Sequence, residues 1–439
     1  MLKNIILEQK RQKEELLTFS YVPRNKEDYA KRWLDTSLIK VILGPRRAGK
    51  SIFSLLLLKD RPFMYFNFDD EALSTVGNIA TDELMKELHS IYGEVKTIMF
   101  DEIQNLPNWE LFVNRLHRAG YNLILTGSNA YLLSQELATH LTGRHIPIEI
   151  LPFDFMEYSK AKKIDITGEY VDLPSQRGHI LNLLEEYLVR GGFPDISVSG
   201  VGLNGYLDVL FDSLLFKDVV KRHRVRFSNQ IATLAGHLIN NFASLYTIRK
   251  LMDILNLKST STTEKYIKYL EEAYLIFSLT RYSPKSAERI RSPRKLYAVD
   301  NGFITAKAIQ HSPNTGKLME NLIFLELIKR GLTINKDLFY YKTRNSREVD
   351  FVVKSGHIVT ELIQVCYDIT NPDTEKREIK ALLEAAEELN IQKLTLITWG
   401  EKKEYKKPKA KASAKEPGVK ENTIVQIVPL LEWLTTTKS

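Results

Sequence analysis

Residues 42–58 read ILGPRRAGKSIFSLLLL. An apolar strand, expected over Leu38–Leu43, runs into a loop bounded by glycines and then into a leucine-rich helix. The loop fits the pattern G-x-x-x-x-G-K-[ST] as Gly44, Pro45, Arg46, Arg47, Ala48, Gly49, Lys50 and Ser51, with Ile52 opening the helix. Glycines let the backbone fold tightly and turn its N–H groups inward, and a helix N-terminus adds positive potential. These residues therefore read as a triphosphate cradle in which Lys50 reaches the outer phosphates and Ser51 ligates magnesium.

Two further strands support that reading. VKTIMFDEIQNLPNWE (95–110) starts as a buried strand over Thr97–Phe100 and ends in Asp101 and Glu102. Acids at the C-terminal end of such a strand lie at the rim where open α/β sheets bind ligands. Asp101 is assigned to magnesium through water, and Glu102 to the water that attacks the γ-phosphate. YNLILTGSN (121–129) ends in Ser128 and Asn129, polar groups placed to sense that phosphate. The expected cofactors are ATP or ADP with Mg2+, and the expected activity is ATP hydrolysis.

At 439 residues the chain is expected to hold about two to four domains. Charged residues make up 26% and hydrophobic residues 44%, and no apolar run approaches the ~20 residues of a membrane span. The first segment, MLKNIILEQKRQKEELL, is an amphipathic helix. One cysteine, Cys366, excludes an internal disulfide framework, and a cytoplasmic location is expected. The net charge of +8 suggests an anionic partner, and the cations gather in three places. These are Arg46 and Arg47, the span Arg281–Lys295, and residues 401–421, which read as a Lys-rich disordered loop between the strands KLTLITWG and TIVQIVPL.

Strands alternate with helices up to about residue 160, which predicts an α/β fold with a parallel sheet covered on both faces. Arg144, ahead of the last strand of that region, is a candidate cation for the transition-state charge, in cis or across a subunit interface. Residues 1–30 form the N-terminal helix and lead-in, 31–160 the P-loop core, and 161–210 a helical connector. Over residues 211–300 the pattern is helix, turn, helix and hairpin, that of a winged helix, with Ser244 a candidate cap of the first helix. Its second helix offers Ser261, Thr262, Thr263, Lys265 and Lys268 to a DNA groove. The wing offers Lys285, Arg289, Arg291, Arg294 and Lys295 to phosphates.

The motifs GPRRAGKS, FDEIQNLPNWE, TGSNAYLLS, LTGRHIPIEILPFDFMEY, GGFPD, KLYAVDNGF and REVDFVV, in this order, resemble a family of archaeal and bacterial AAA+-like ATPases with a C-terminal domain of unknown function. The resemblance implies an ATPase core, a winged-helix region and, over 301–439, a domain like the restriction endonucleases. Such nucleases use carboxylates to hold magnesium and a lysine to support the attacking water. Here Glu320 or Glu326 and Asp350 supply acids, while Gln364-Val365-Cys366 stands where Glu-x-Lys is expected. A turn at Ser355-Gly356 would set Glu361 opposite Asp350, leaving a degenerate site. Two functions follow: an ATPase that couples its nucleotide state to double-stranded DNA, or a nucleotide-dependent switch or scaffold acting on a protein; an ATP-regulated endonuclease is a minor third, and a homo-oligomer is a candidate assembly.

Overall fold

The computed structural model describes residues 1–77, 79–128, 143–167, 173–199, 203–307, 314–406 and 424–436. Its first sheet is wholly parallel, in the order β2-β3-β4-β1-β5, built from β1 (Ile39–Leu43), β2 (Met64–Asn67), β3 (Thr97–Asp101), β4 (Asn122–Gly127) and β5 (His145–Glu149). Alternate residues of these strands point to opposite faces, and each face has its own core. Val41, Phe66, Phe100 and Leu125 pack under the helices Leu2–Leu16, Thr81–Tyr92 and Trp109–Arg118. Ile42, Tyr65, Met99 and Ile124 pack against the helix Lys50–Leu58. Lys40, within β1, is buried and donates to Thr36 O and Asn122 Oδ1, both at 2.7 Å.

In the rest of the chain, one face of the C-terminal sheet packs over its own core under the helix Pro372–Leu389, with Val352, Leu362, Leu382 and Leu396 buried there, and a larger core runs from Leu151 to Leu434 across the boundaries expected near residues 210 and 300. The larger core begins with helices Phe155–Ala161, Pro174–Arg190 and Leu203–Ser213, then an eight-residue π-helix, Leu214–Lys221. Next comes an antiparallel sheet in the order β6-β8-β7, from β6 (Ser244–Tyr246), β7 (Ile276–Leu279) and β8 (Arg294–Ala298). Helices Ile248–Ile254 and Thr260–Glu272 precede β7, and a short helix, Ser286–Arg291, fills the connection from β7 to β8. Ser244 lies in β6, and the cap of Ile248–Ile254 is Thr247, whose side chain accepts from Lys250 N. The run SLY is extended because Ser244–Tyr246 pairs with Leu296–Arg294.

The last sheet is mixed, in the order β13-β14-β12-β11-β10-β9, from β9 (Leu338–Lys342), β10 (Glu348–Ser355), β11 (Ile358–Val365), β12 (Leu394–Thr398), β13 (Lys403–Lys406) and β14 (Ile424–Pro429). The expected Lys-rich loop therefore starts later than residue 401, because Lys403–Lys406 pairs along the edge of β14, Tyr405 opposite Val425. Residues 407–423 of that loop lie outside the described residues.

Buried polar ties hold these layers together. Asn321, on the helix Thr315–Lys329, accepts from Ala298 N at 2.8 Å and donates to Ala298 O at 3.1 Å, fixing the helix to β8. Asp300 accepts from Gly192 N and Gly302 N, both at 2.8 Å, so the GGFPD turn sits against the VDNGF turn. A Cβ on Gly191 would lie 1.7 Å from Asp300 Oδ1, so a side chain there has no room.

Burial pushes Glu326 up to about 7 against the pull of Lys329, and pushes Asp300 up to about 6. Both are protonated more readily in the folded chain than in the unfolded one, so their contribution is full below about pH 4.5 and lost as pH rises through 6 to 7. Thermal unfolding at pH 7.5 is expected at a lower temperature than at pH 5.5. Glu326→Gln should reduce that difference, by about 2 kcal/mol between these two pH values for a group so shifted.

Candidate functional site: the rim of the parallel sheet

Gly44 leaves β1 with φ 145°, and a Cβ on it would lie 1.9 Å from Ile150 O, which itself follows β5. The loop turns through Arg47 (φ 65°) and Gly49 (φ 89°), both left-handed, before the helix starts at Lys50. Arg24, which the sequence reading missed, holds the loop from below. It donates to Ala48 O at 2.8 Å and Leu151 O at 2.5 Å, and its Nε lies 3.0 Å from Glu157 Oε2.

Lys50 is buried and donates to Pro45 O at 2.9 Å, with Glu102 Oε1 4.0 Å away. Ser51 Oγ donates to Asp101 Oδ1 at 2.9 Å, so the two expected magnesium ligands face one another. Asp101 also accepts from Thr126 Oγ1 and, at 3.2 Å, from Tyr65 OH. Glu102 is left-handed at φ 50°, its N–H donates to Thr126 Oγ1 at 3.0 Å, and Gln104 donates to its carboxylate. Burial alone would raise the Glu102 carboxyl, but the charges of Lys50 and Arg46 outweigh it and leave the group below the usual range. Glu102 is thus a carboxylate at neutral pH.

A cavity of about 610 Å3 opens over this loop, lined by Lys50, Ser51 and Glu102 on one side and by Tyr21, Pro194 and Leu210 on the other. The donor set fits a nucleotide with magnesium: a loop with no room for a Cβ at Gly44 and a left-handed Gly49, a buried ammonium, and a hydroxyl facing a carboxylate.

Arg46 leaves the loop toward the rest of the chain. Its Nε donates to Asp218 Oδ2 of the π-helix at 2.8 Å, and its Nη1 to Asp69 Oδ2 at 3.2 Å. Asp218 is almost wholly buried and lies 3.5 Å from Arg222 as well. Arg47 is exposed, 3.9 Å from Asp195. Asp218 is 172 positions from Arg46 in sequence and carries no local motif.

The remaining residues expected at this site are Asn129 and Arg144. Asn129 lies outside the described residues. Arg144 is at the wrong edge for action in cis: parallel pairing sets Ile39 beside His145 and Leu43 beside Glu149, so Arg144 stands where β1 begins and the phosphate loop where β1 ends. Its guanidinium reaches Asn114 Oδ1 at 3.5 Å.

In the C-terminal region, Glu320, Asp350 and Gln364 do converge. Gln364 Oε1 accepts from Asp350 N at 3.2 Å, and Gln364 Nε2 donates to Glu378 at 2.7 Å. Glu361 does not join them. The turn falls at Gly356-His357 and a bulge follows Val353, so Glu361 pairs opposite Val353, where Lys393 and Thr395 bind its carboxylate. Glu326 faces Tyr187 and Lys329 instead.

Lys295, expected in the DNA-contacting wing, is buried at the centre of this group. Its ammonium lies 2.6 Å from Glu348, 2.7 Å from Asp350 and 2.8 Å from Glu320. Tyr297 OH adds a bond to Glu320 at 2.7 Å. β8 is covered on both sides, which turns its Lys295 inward to the acids, and a lysine inside an apolar strand was the signal for it. Among the described residues no group of three or more His, Cys, Asp or Glu side chains is arranged to hold a metal ion. Of the helix residues offered to a groove, Lys265 and Lys268 are exposed but Thr263 is buried. Lys285 and Arg291 are exposed and Arg289 and Arg294 partly so.

A family model described as an AAA domain matches residues 36–159. Two domains of unknown function match residues 181–313 (DUF8612) and 315–412 (DUF4143). An uncharacterized protein of Methanocaldococcus jannaschii is 36% identical over 413 residues, covering 91% of this chain and 88% of the relative. An uncharacterized protein of Haemophilus influenzae is 29% identical over 367 residues, 79% of this chain and 87% of that one. The Walker-type ATPase of Pyrococcus abyssi has a TM-score of 0.44 at 18% identity, over 65% of this chain and 96% of that one. Among the described residues no helix is long and apolar enough to cross a membrane.

Removing the Lys295 ammonium leaves buried carboxylates without their cation, which typically costs ~3–5 kcal/mol. Lys295→Met is expected to lower the urea midpoint strongly. Glu361→Gln, whose partner Lys393 is exposed, should lower it far less.

Proposed function

Because the chain belongs to the family of the Methanocaldococcus jannaschii protein, an AAA domain followed by two domains of unknown function, we propose that it is a magnesium-dependent ATPase whose nucleotide state sets its grip on DNA. The loop of residues 44–51 binds the triphosphate with backbone N–H groups, and Lys50 exchanges its bond to Pro45 O for the outer phosphates. Ser51 and Asp101 would hold magnesium, which when bound draws charge from the phosphate oxygens. Glu102, ionised beside Lys50 and Arg46, orients the attacking water and takes its proton.

The observation that carries the coupling is the bond from Arg46 to Asp218. A cation in the phosphate loop is shared between the nucleotide's position and a buried carboxylate of the π-helix. That helix leads into His223, whose ring stacks on Tyr269 of Thr260–Glu272 at 3.8 Å. An arriving γ-phosphate competes with Asp218 for Arg46, so the nucleotide biases how the π-helix sits against that helix. Helices Ile248–Ile254 and Thr260–Glu272 with the β6-β8-β7 sheet support a winged-helix reading of this region. Lys265 and Lys268 would then face the nucleic acid, and Lys285, Arg289, Arg291 and Arg294 its phosphates. Arg144, held away from its own phosphate loop, would serve the nucleotide of a neighbouring copy.

The direct test is steady-state ATP hydrolysis with magnesium, with and without duplex DNA, over a salt series. DNA should stimulate hydrolysis at low salt and lose its effect as salt rises. Lys50→Ala and Glu102→Gln should abolish turnover, and Asp218→Asn should bring the ratio of stimulated to basal rate towards one. Hydrolysis indifferent to DNA at every salt concentration would overturn the coupling and favour a switch acting on a protein partner.

A further inference from the structure

The segment that leaves the π-helix, FKDVVKRHRVRF (216–227), holds Lys217, Lys221, Arg222, Arg224 and Arg226 against a single acid, Asp218. That acid is buried and engaged with Arg46 and Arg222, so it offers no counter-charge at the surface. Lys221, Arg224 and Arg226 are exposed. Phe227 is 54% exposed, with the Arg226 guanidinium 5.5 Å from its ring centre. The segment is pinned in place by His223, which stacks on Tyr269 and lies 3.2 Å from Glu272. Lys265 and Lys268 stand exposed on that same helix, so cations from two elements form one strip. An exposed Glu264 lies on this helix, while Glu272 is occupied by His223 and Lys268.

We propose that this strip, Lys221 to Phe227 with Lys265 and Lys268, binds a single-stranded nucleic acid. Its cations would hold successive phosphates and the open face of Phe227 would stack on a base. Mobile cations alone would suit any polyanion; the accessible ring beside them is what selects a strand whose bases are free. A π-helix of eight residues ends at the strip, and irregular turns of this kind recur at functional sites. Through Asp218 the same helix touches the phosphate loop, so a strand bound here would be sensed at the nucleotide. The inference rests on the reading above that a nucleic acid is the partner, and it names the form of that partner and a surface distinct from the wing.

The experiment is fluorescence anisotropy of the full chain with a labelled oligothymidylate and with a labelled duplex, across a salt series, with ATP binding measured on each variant to establish folding. The wild type should bind the single strand more tightly than the duplex. Arg224→Ala with Arg226→Ala should flatten the slope of log affinity against log salt by about 1.4, two phosphate contacts on a single strand. Phe227→Ala should weaken the single strand about tenfold and leave the duplex unchanged. Variants that bind the single strand like the wild type overturn the proposal. A wild type that binds duplex, and loses it on Arg289→Ala with Arg291→Ala but not on these substitutions, overturns this surface while sparing the proposed function. A wild type that binds neither form overturns both.

Discussion

Parallel pairing of β1 with β4 on one side and β5 on the other is the constraint on which the rest depends. It brings the ends of β1, β3 and β4 to one rim, so a glycine loop, two acids and a threonine that are far apart in sequence meet within hydrogen-bond reach. The same pairing removes Arg144 from that rim, since a residue before a parallel strand must lie at the opposite edge. Close approach of the loop to Ile150 then leaves no room for a side chain at Gly44.

Outside that sheet, the molecule is organised by how it neutralises buried charge. A charge taken from water is tolerated when a partner and further hydrogen bonds replace the lost hydration. Arg46 and Asp218 meet that requirement across the junction between the phosphate loop and the π-helix. Lys295 meets it across the junction between β8 and the last sheet, where it takes three carboxylates at once. Each pair ties together elements that hydrophobic contact alone would let slide, because a slip of either would strand a charge. Asp300 fixes two glycine turns and Asn321 fixes β8, so the elements around the larger core, Leu151 to Leu434, are tied by polar bonds as well as by packing.

The two kinds of junction differ in what they offer chemically. At the phosphate loop, the cation is partly shared and lines an open cavity, so a ligand can compete for it. At Lys295 the ammonium is enclosed, with Glu320 pushed up to about 7 by burial, and it stands among the carboxylates where a nuclease would need a metal. The first arrangement is suited to a change of state and the second to rigidity.

What the sequence by itself determined was the local chemistry: a glycine-bounded loop between strand and helix, acids directly after the apolar strand Thr97–Phe100, and a parallel α/β order. Those features were legible because each depends on neighbours in the chain, through backbone conformation and strand periodicity. The convergence of Glu320, Asp350 and Gln364 was implied by the resemblance to the nucleases, with Glu326 as the alternative to Glu320, but Glu361 was misplaced because one bulge after Val353 and a two-residue turn shift every cross-strand partner. The partners of Lys295, Arg24 and Asp218 were decided by the tertiary structure alone. Each is a charge whose partners lie far along the chain, and which acid a buried cation meets is set by how helices and sheets stack.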